Sequence, residues 1–138
     1  MPSYDSVSVG DELPTTTFPI DRATLVRYAG ASLDFNPIHW NERFATSVGL
    51  PDVIAHGMLT MAEAVRVVTD WTGDPGAIVE YGVRFSRPVV VPHDTGAELT
   101  VTGKVTDKRD DGTVVVTLTA RSGDVKVLAM ARATVRLG

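Results

Sequence analysis

The stretch that decides the fold reads GMLTMAEAVRVVTDW and runs from Gly57 to about Trp71. Its apolar residues recur with the spacing of a helix and cover a wide arc of the helix surface. These residues are Met58, Leu59, Met61, Ala62, Val65, Val68 and Trp71. A helix with so broad an apolar surface has to be covered on several sides, so we expect it to be the most buried helix of the domain.

Downstream of Gly76 the apolar pattern changes to a period of two, which is typical of strands. Residues 78–85 form one predicted strand, and two further strands flank a turn at residues 110–112. The inner residues of those two strands are predicted to be Leu99, Val101, Gly103 and Val105, and Val114, Val116, Leu118 and Ala120. The small residues of a last strand are expected to share one face that a helix can approach; they are Ala129, Ala131 and Ala133. The simplest arrangement of these strands and this helix is one antiparallel sheet curled around the 57–71 helix, an α+β fold.

Upstream of the long helix, the sequence predicts a short strand and two helices. The strand covers residues 15–18, and Asp21 is placed to cap a helix that runs to about Gly30. Asn41 begins a shorter helix that ends near residues 49–51. The inner face of the longer of these two helices is predicted to consist of Leu25, Val26 and Ala29.

Between these two helices lies the segment DFNPIH, residues 34–39. Pro37 cannot donate a backbone hydrogen bond, and it biases Asn36 away from the helical conformation. The chain therefore has to bend between Asp34 and His39, and a bend can direct both side chains at one small volume. A carboxylate and an imidazole that a loop holds together are a candidate acid/base pair.

Composition restricts the class of protein. The 138 residues are expected to form one domain, residues 1–138, long enough to bury a core. A net charge of −4 argues against a nucleic-acid partner that is bound through its phosphates. No apolar run reaches the length of a membrane span, and residues 1–7 lack the basic and apolar blocks of a signal peptide.

The sequence has no cysteine, which excludes disulfides, thiol catalysis and cysteine-ligated metal ions and fits the cytoplasmic location that we expect. Its histidines also allow simple structural interpretations. His56 precedes the long helix and can serve as a cap or a brace, while His93 falls on an exposed loop and receives no role. Metal binding by His39 and His56 is conceivable, but no His-x-x-x-His pair supports it, so we expect no metal site.

Two blocks of the sequence resemble a known family. YAGASLDFNPIH, residues 28–39, followed by Ala45, is similar to the signature of the MaoC-like, (R)-specific enoyl hydratases and dehydratases. AHGM, residues 55–58, resembles the second block of that family. The segments 38–40, 54–61 and 73–77 resemble in particular the B subunit of the actinobacterial (3R)-hydroxyacyl-ACP dehydratase of type II fatty-acid synthesis. The resemblance covers nearly the whole chain and implies the hot-dog fold, a long helix wrapped by an antiparallel sheet.

The resemblance implies dehydration of a (3R)-hydroxyacyl thioester, or hydration of a trans-2-enoyl thioester. Because this reaction moves a proton at C2 and a hydroxyl group at C3, it requires two proton-handling groups, and the implied pair is Asp34 and His39. Which of them is the base stays open; our working assignment gives the C2 proton to His39 and the water or hydroxyl to Asp34. The resemblance implies that the Gly57 amide, at a helix start, donates to the thioester oxygen. Asn36 either holds the loop or contacts the active water.

One position departs from the family pattern. The residue before the aspartate is usually glycine in the family, and here it is Leu33. If the position requires a positive φ, leucine strains the loop by about 1–3 kcal/mol. If it requires only a small side chain, leucine narrows the pocket or moves Asp34. Either effect bears on the activity of the chain on its own.

The resemblance also implies partners. The substrate is an acyl thioester on acyl-carrier protein or coenzyme A, and the sequence leaves the carrier and the acyl length open. Acyl-carrier protein is acidic, so Arg84 and Arg87 are weak candidates for contacts to it. Two hot-dog units of this family join their sheets, so we expect a homodimer or a heterodimer with a sister subunit. Since the thioester carrier is a substrate, no cofactor, metal or prosthetic group is expected.

Two other hypotheses stay open beside the enzyme. In one, the chain is a non-catalytic acyl-binding or accessory subunit that supports a sister hot-dog subunit. In the other, it is a hot-dog thioesterase, which shares the fold but requires a differently placed carboxylate. The first alternative differs from the enzyme in whether Asp34 and His39 perform chemistry.

Overall fold

The computed structural model describes residues 1–138 as a sequence of three helices and six strands. In chain order they are β1 (Glu12–Ile20), α1 (Arg22–Ser32), α2 (Glu42–Ser47), α3 (Gly57–Thr72), β2 (Ile78–Phe85), β3 (Ala97–Lys108), β4 (Thr113–Ser122), β5 (Val125–Lys126) and β6 (Leu128–Arg136). Short 3-10 turns lie at Tyr4–Ser6, Pro37–His39 and Pro75–Ala77. The predicted helices and strands are present, and β1 extends beyond residues 15–18 at both ends.

The strands form one sheet in the order β1-β3-β4-β6-β2, with β5 paired to the end of β4. Every pairing is antiparallel. Helix α3 contacts β1, β2, β3, β4 and β6, so the sheet curls around it. The predicted α+β assembly of an antiparallel sheet around the long helix is confirmed. Strands β1 and β2 are left as the two edges of the sheet.

The core lies between α3 and the inner face of the sheet. The inner positions predicted for β3 and β4 are all buried. Helix α3 places Leu59, Ala64, Val67 and Val68 against them. Each of the leucine and valine side chains contributes about 1.5–3 kcal/mol when it is fully removed from water. This packing fixes the position of the first turn of α3, where the candidate site lies.

Three of the predicted core positions are wrong. Met58 and Ala62 of α3 are exposed, because the sheet covers one side of the helix and these residues lie on the other. On α1, Leu25 and Ala29 are buried but Val26 is 61% exposed. An apolar residue in a helical pattern is therefore not always part of the buried stripe.

The last strand also differs from its predicted pattern. Ala131 and Ala133 are buried, but Ala129 is only partly buried. The pairing of β2 with β6 changes register opposite this point, and Met130 has a φ of 50°. Such an irregularity shifts the alternation of side chains between the two faces of a strand, so the three alanines do not share equal burial.

None of the helices combines the length and the apolarity that crossing a bilayer requires.

Candidate functional site

The segment between α1 and α2 bends as the sequence predicts. Helix α1 ends at Leu33, whose φ of 62° and ψ of 18° lie in the left-handed region. The Asn36 side chain then caps the Pro37–His39 turn by accepting a hydrogen bond from the Ile38 amide at 3.2 Å. The amide of Asn36 donates in turn to Oδ1 of Asp34, also at 3.2 Å. These local bonds give the segment its shape.

The loop places His39 beside Asp34. His39 is 6% exposed, and its Nδ1 lies 2.6 Å from the carbonyl oxygen of Ile54. Because a carbonyl only accepts, Nδ1 carries the hydrogen, and a neutral His39 then has a lone pair at Nε2. This Nε2 lies 3.9 Å from Oδ2 of the half-exposed Asp34 carboxylate. The distance is too long for a direct hydrogen bond, but a bridging water or substrate oxygen can serve both groups.

A second histidine lies behind this pair. His56 is 1% exposed, and its Nε2 lies 3.1 Å from the carbonyl oxygen of Asp34. Its ring stacks on His39 with centroids 3.8 Å apart, and the Tyr28 ring meets it edge-on. Burial lowers the pKa of His56 below its ordinary value, although the bond to the Asp34 carbonyl acts in the opposite direction. The side chain of His56 does not cap α3, so it braces the loop instead.

The same three side chains are the candidate metal ligands, since Asp34, His39 and His56 place ligand atoms within 4.8 Å of one another. However, the two imidazole rings are stacked, with only 22° between their planes. Nitrogens of stacked rings point in similar directions and do not converge on one ion, as tetrahedral ligation requires. One nitrogen of each ring also faces a backbone carbonyl. The geometry favours proton handling over metal binding.

The His39 ring lines a groove of about 390 Å³ beside the start of α3. Its walls are largely apolar and include Ile38, Ile54, Val89 and Val127, with His39, Thr60 and Arg87 among the polar residues. Asp34 is not part of the groove wall and lies at its margin, 3.9 Å from His39. The arrangement offers an apolar cavity with a few polar groups, which suits a small acyl group.

Gly57 is the first residue of α3 and also lines the groove. As the first helical residue, it has an amide without a partner inside the helix. A Cβ atom at this position would lie 3.1 Å from Cε1 of Phe85. The missing side chain therefore lets the Phe85 ring lie close to the helix start.

The two candidate arginines face different parts of the molecule. Arg87 lines the groove. Arg84 instead lines a larger, polar concavity of about 700 Å³, together with Arg109 and Arg132. Volume alone would favour this larger concavity, but it contains none of the predicted acid/base residues.

Thr60 and Phe85 line the groove, and neither residue is among those predicted from the sequence to form the site. Thr60 is 4% exposed and lies one turn after Gly57, so its spacing from that glycine was an available signal. Phe85 is the last residue of β2, and no local pattern connects it with α3.

Comparison with known proteins identifies relatives. Residues 6–123 match the family model described as MaoC like domain. The chain is 40% identical over 83 residues to 3-hydroxyacyl-thioester dehydratase X of Mycobacterium tuberculosis, which covers 60% of this chain and 29% of that protein. It is 36% identical over 91 residues to the (R)-specific enoyl-CoA hydratase of Rhodospirillum rubrum, which covers 65% of this chain and 63% of that protein.

Solved structures show the same fold. A structure described as a MaoC-like dehydratase matches with a TM-score of 0.97 and 44% identity, over 99% of this chain and 42% of that chain. The ChsH1-ChsH2 complex from Mycobacterium tuberculosis matches with a TM-score of 0.83 and 26% identity, over 96% of this chain and 99% of that chain. The chain thus spans less than half of some of its relatives. With a family model matching most of its length and an antiparallel sheet wrapped around one long helix, the chain belongs to the MaoC-like domain family and has the hot-dog fold.

Proposed function

We propose that the chain is the catalytic hot-dog unit of a hydro-lyase that removes water from (3R)-3-hydroxyacyl thioesters and adds it to trans-2-enoyl thioesters. The observation that carries this proposal is the approach of Asp34 to His39, 3.9 Å apart, where an apolar groove meets the start of a helix. Relatives described as a 3-hydroxyacyl-thioester dehydratase and an (R)-specific enoyl-CoA hydratase support the reaction class.

In this proposal the pair of Asp34 and His39 carries one proton through the reaction. In hydration, the Asp34 carboxylate takes a proton from the water that attacks C3, and protonated His39 gives its Nε2 proton to C2. In dehydration, neutral His39 takes the C2 proton while protonated Asp34 gives its proton to the departing hydroxyl. Each transfer from a positioned group contributes about 10²–10⁴-fold in rate. A water beside the pair can reach both groups, since Nε2 of His39 and Oδ2 of Asp34 are only 3.9 Å apart.

Negative charge develops on the thioester oxygen when C2 loses its proton in dehydration, or when water attacks C3 in hydration. The Gly57 amide, at the positive end of the α3 dipole, supplies a fixed donor for that oxygen. One such donor typically lowers the barrier by about 3–4 kcal/mol. The acyl group would lie in the apolar groove, and Arg87, which lines the groove, would contact the phosphates of coenzyme A or an acidic carrier protein.

The proposed assembly is a dimer through the β2 edge, with an identical chain or with a sister hot-dog unit. Strand β2 is unpaired on one side, and Val79 and Phe85 on it are each 52% exposed. Unpaired strand edges with apolar residues are usually covered in native proteins. The ChsH1-ChsH2 complex is a neighbour built from two different subunits, and the chain spans 42% of another relative. Both observations agree with a second unit beside this one.

The experiment is the hydration of crotonyl-CoA by the purified chain, alone and with a candidate sister subunit. We expect (3R)-3-hydroxybutyryl-CoA as the product, and a loss of about 100-fold or more for Asp34→Asn and His39→Ala. His93→Ala, on an exposed loop, is the matched control and should leave the rate unchanged. Equal rates for all variants would show that the pair does not catalyse the reaction.

A second candidate is an accessory subunit, and the exposure of the Asp34 carboxylate outside the groove wall favours it. In that case the chain would raise the activity of a sister subunit, and Asp34→Asn and His39→Ala would raise it equally well. Release of free thiol from the acyl-CoA would instead identify a thioesterase.

A further inference from the structure

His56 is the most buried of the three histidines, and the proposed reaction gives it no chemical role. Its Nδ1 is buried and has no hydrogen-bond partner. A buried polar atom without a partner is rare and costs free energy, so the position requires an explanation. The contacts that Nε2 and the face of the ring make supply this explanation.

The surroundings of His56 fix its protonation state. The carbonyl oxygen of Asp34 can only accept, so Nε2 carries the hydrogen and donates it over 3.1 Å. A second proton, on Nδ1, would be a buried donor without an acceptor and would place a cation against the His39 ring. The titratable groups that face the ring are His39, Asp34 and Tyr28. Burial of the ring also disfavours the charged form, in agreement with this geometry.

We propose that His56 is a positioning residue whose imidazole stays neutral throughout turnover. Its stacked ring fixes the plane of His39, and its Nε2–H fixes the backbone of Asp34, so one side chain sets the separation of the proton-handling pair. The inference rests on the proposed function, because it assigns His56 to the alignment of that pair. The two stacked rings hold opposite tautomers, Nδ1–H in neutral His39 and Nε2–H in His56.

The neutral state of His56 affects the charge that His39 can carry during turnover. When His39 holds the proton, a neutral aromatic face beside it attracts the positive charge. A second imidazolium at the same distance would repel it instead. The stack therefore lets the site hold one positive charge at a time, on the ring that faces the carboxylate.

The tautomers can be measured without any assay of activity. The chain has only three histidines, so ¹⁵N-labelled imidazole signals can be assigned with His93→Gln and His56→Gln. At neutral pH we expect His56 to show a protonated Nε2 and a bare Nδ1. A protonated Nδ1 on His56, or a mixture of its two tautomers, would overturn the proposal.

Two substitutions separate the two contacts. His56→Gln keeps a donor near the position of Nε2 but loses the stacked ring, and His56→Phe keeps the ring but loses the donor. In both variants we expect kcat to fall by about 10- to 100-fold with KM changed by less than about threefold. In His56→Gln, which loses the ring that fixes the plane of His39, the His39 signals should change from one tautomer to a mixture, whereas in His56→Phe they should keep the wild-type tautomer. His93→Gln should leave kcat, KM and the His39 signals unchanged.

Wild-type kcat in both variants would overturn the proposal. So would a loss of kcat in His56→Gln that follows the melting temperature alone, with the His39 tautomer unchanged. If the wild-type chain shows no hydratase activity, the proposed function fails, and the imidazole signals still decide the inference. A His39 tautomer that stays unchanged in His56→Gln would then overturn it, and mixed tautomers in that variant would support it.

Discussion

The rings of His39 and His56 stack with their centroids 3.8 Å apart, and each ring contacts a different backbone carbonyl. His39 uses Nδ1 toward Ile54, and His56 uses Nε2 toward Asp34. The stack therefore ties the loop after α1 to the segment that leads into α3. This connection joins the candidate carboxylate, the candidate imidazole and the helix start through direct contacts.

We predict an acid-sensitive stability that originates at His56. Burial lowers its pKa in the folded protein below the ordinary value of 6.5, so the unfolded chain binds the proton more readily. The contribution of His56 is complete above pH 6.5 and is lost as the pH falls from there through the folded pKa. As the pH is lowered over this range, the denaturant concentration at the unfolding midpoint of the wild type should fall.

In His56→Gln this part of the pH dependence should disappear, whereas the exposed control His93→Gln should keep it. An identical pH dependence in the wild type and in His56→Gln would contradict the assignment.

Leu33 gives a second prediction. Its φ of 62° is costly for a residue with a Cβ, and its side chain is 75% exposed, so it gains little from packing. Leu33→Gly should therefore raise the free energy of unfolding by about 1 kcal/mol, measured by chemical denaturation. Leu33→Ala keeps the Cβ and should not produce this gain. Equal stability of the glycine and alanine variants would show that the backbone conformation is not the cause.

Sequence patterns predicted the features of the fold that depend on interactions between residues close together in the sequence. The bend at residues 34–39 follows from Pro37 and from the capping side chain of Asn36, both of which act within three residues. The positive φ of Leu33 was one of two alternatives that the sequence left open, and the structure selects it. The long helix and the inner faces of β3 and β4 follow from apolar spacing alone.

What sequence patterns did not predict depends on contacts between distant segments. The position of Phe85 against Gly57 and the approach of His39 to the Ile54 carbonyl both require the folded sheet. The exposure of Met58 depends on which side of α3 the sheet covers. The partial burial of Ala129 depends on a register shift between β2 and β6 that no local sequence pattern predicts.

The close packing of Phe85 on Gly57 gives a third prediction. A Cβ at residue 57 would lie 3.1 Å from the Phe85 ring, so Gly57→Ala has to displace the ring or the helix start. We expect kcat/KM for crotonyl-CoA to fall by up to about 100-fold, since small displacements of a site are costly. Adding Phe85→Ala should restore a large part of the loss. If Phe85→Ala restores nothing, crowding is not the cause.

The fourth prediction concerns assembly. Light scattering after size-exclusion chromatography should give at least the mass of a dimer, because the β2 edge is otherwise uncovered. Val79→Lys places a charge on that edge and should shift the protein toward the monomer. Val125→Lys is a matched control on β5, where Val125 is 44% exposed. A monomeric wild type, or equal effects of the two lysines, would contradict the proposed interface.

The central claim is that Asp34 and His39 act as one unit, and a double-mutant cycle tests it most directly. Values of kcat/KM for crotonyl-CoA hydration would be measured for the wild type, Asp34→Asn, His39→Ala and the double variant, in the assembly that proves active. When two residues act as one unit, replacing either one removes the contribution of both. The double variant should therefore be about as slow as the slower single variant. Losses that multiply in the double variant, or single variants as fast as the wild type, would contradict the account.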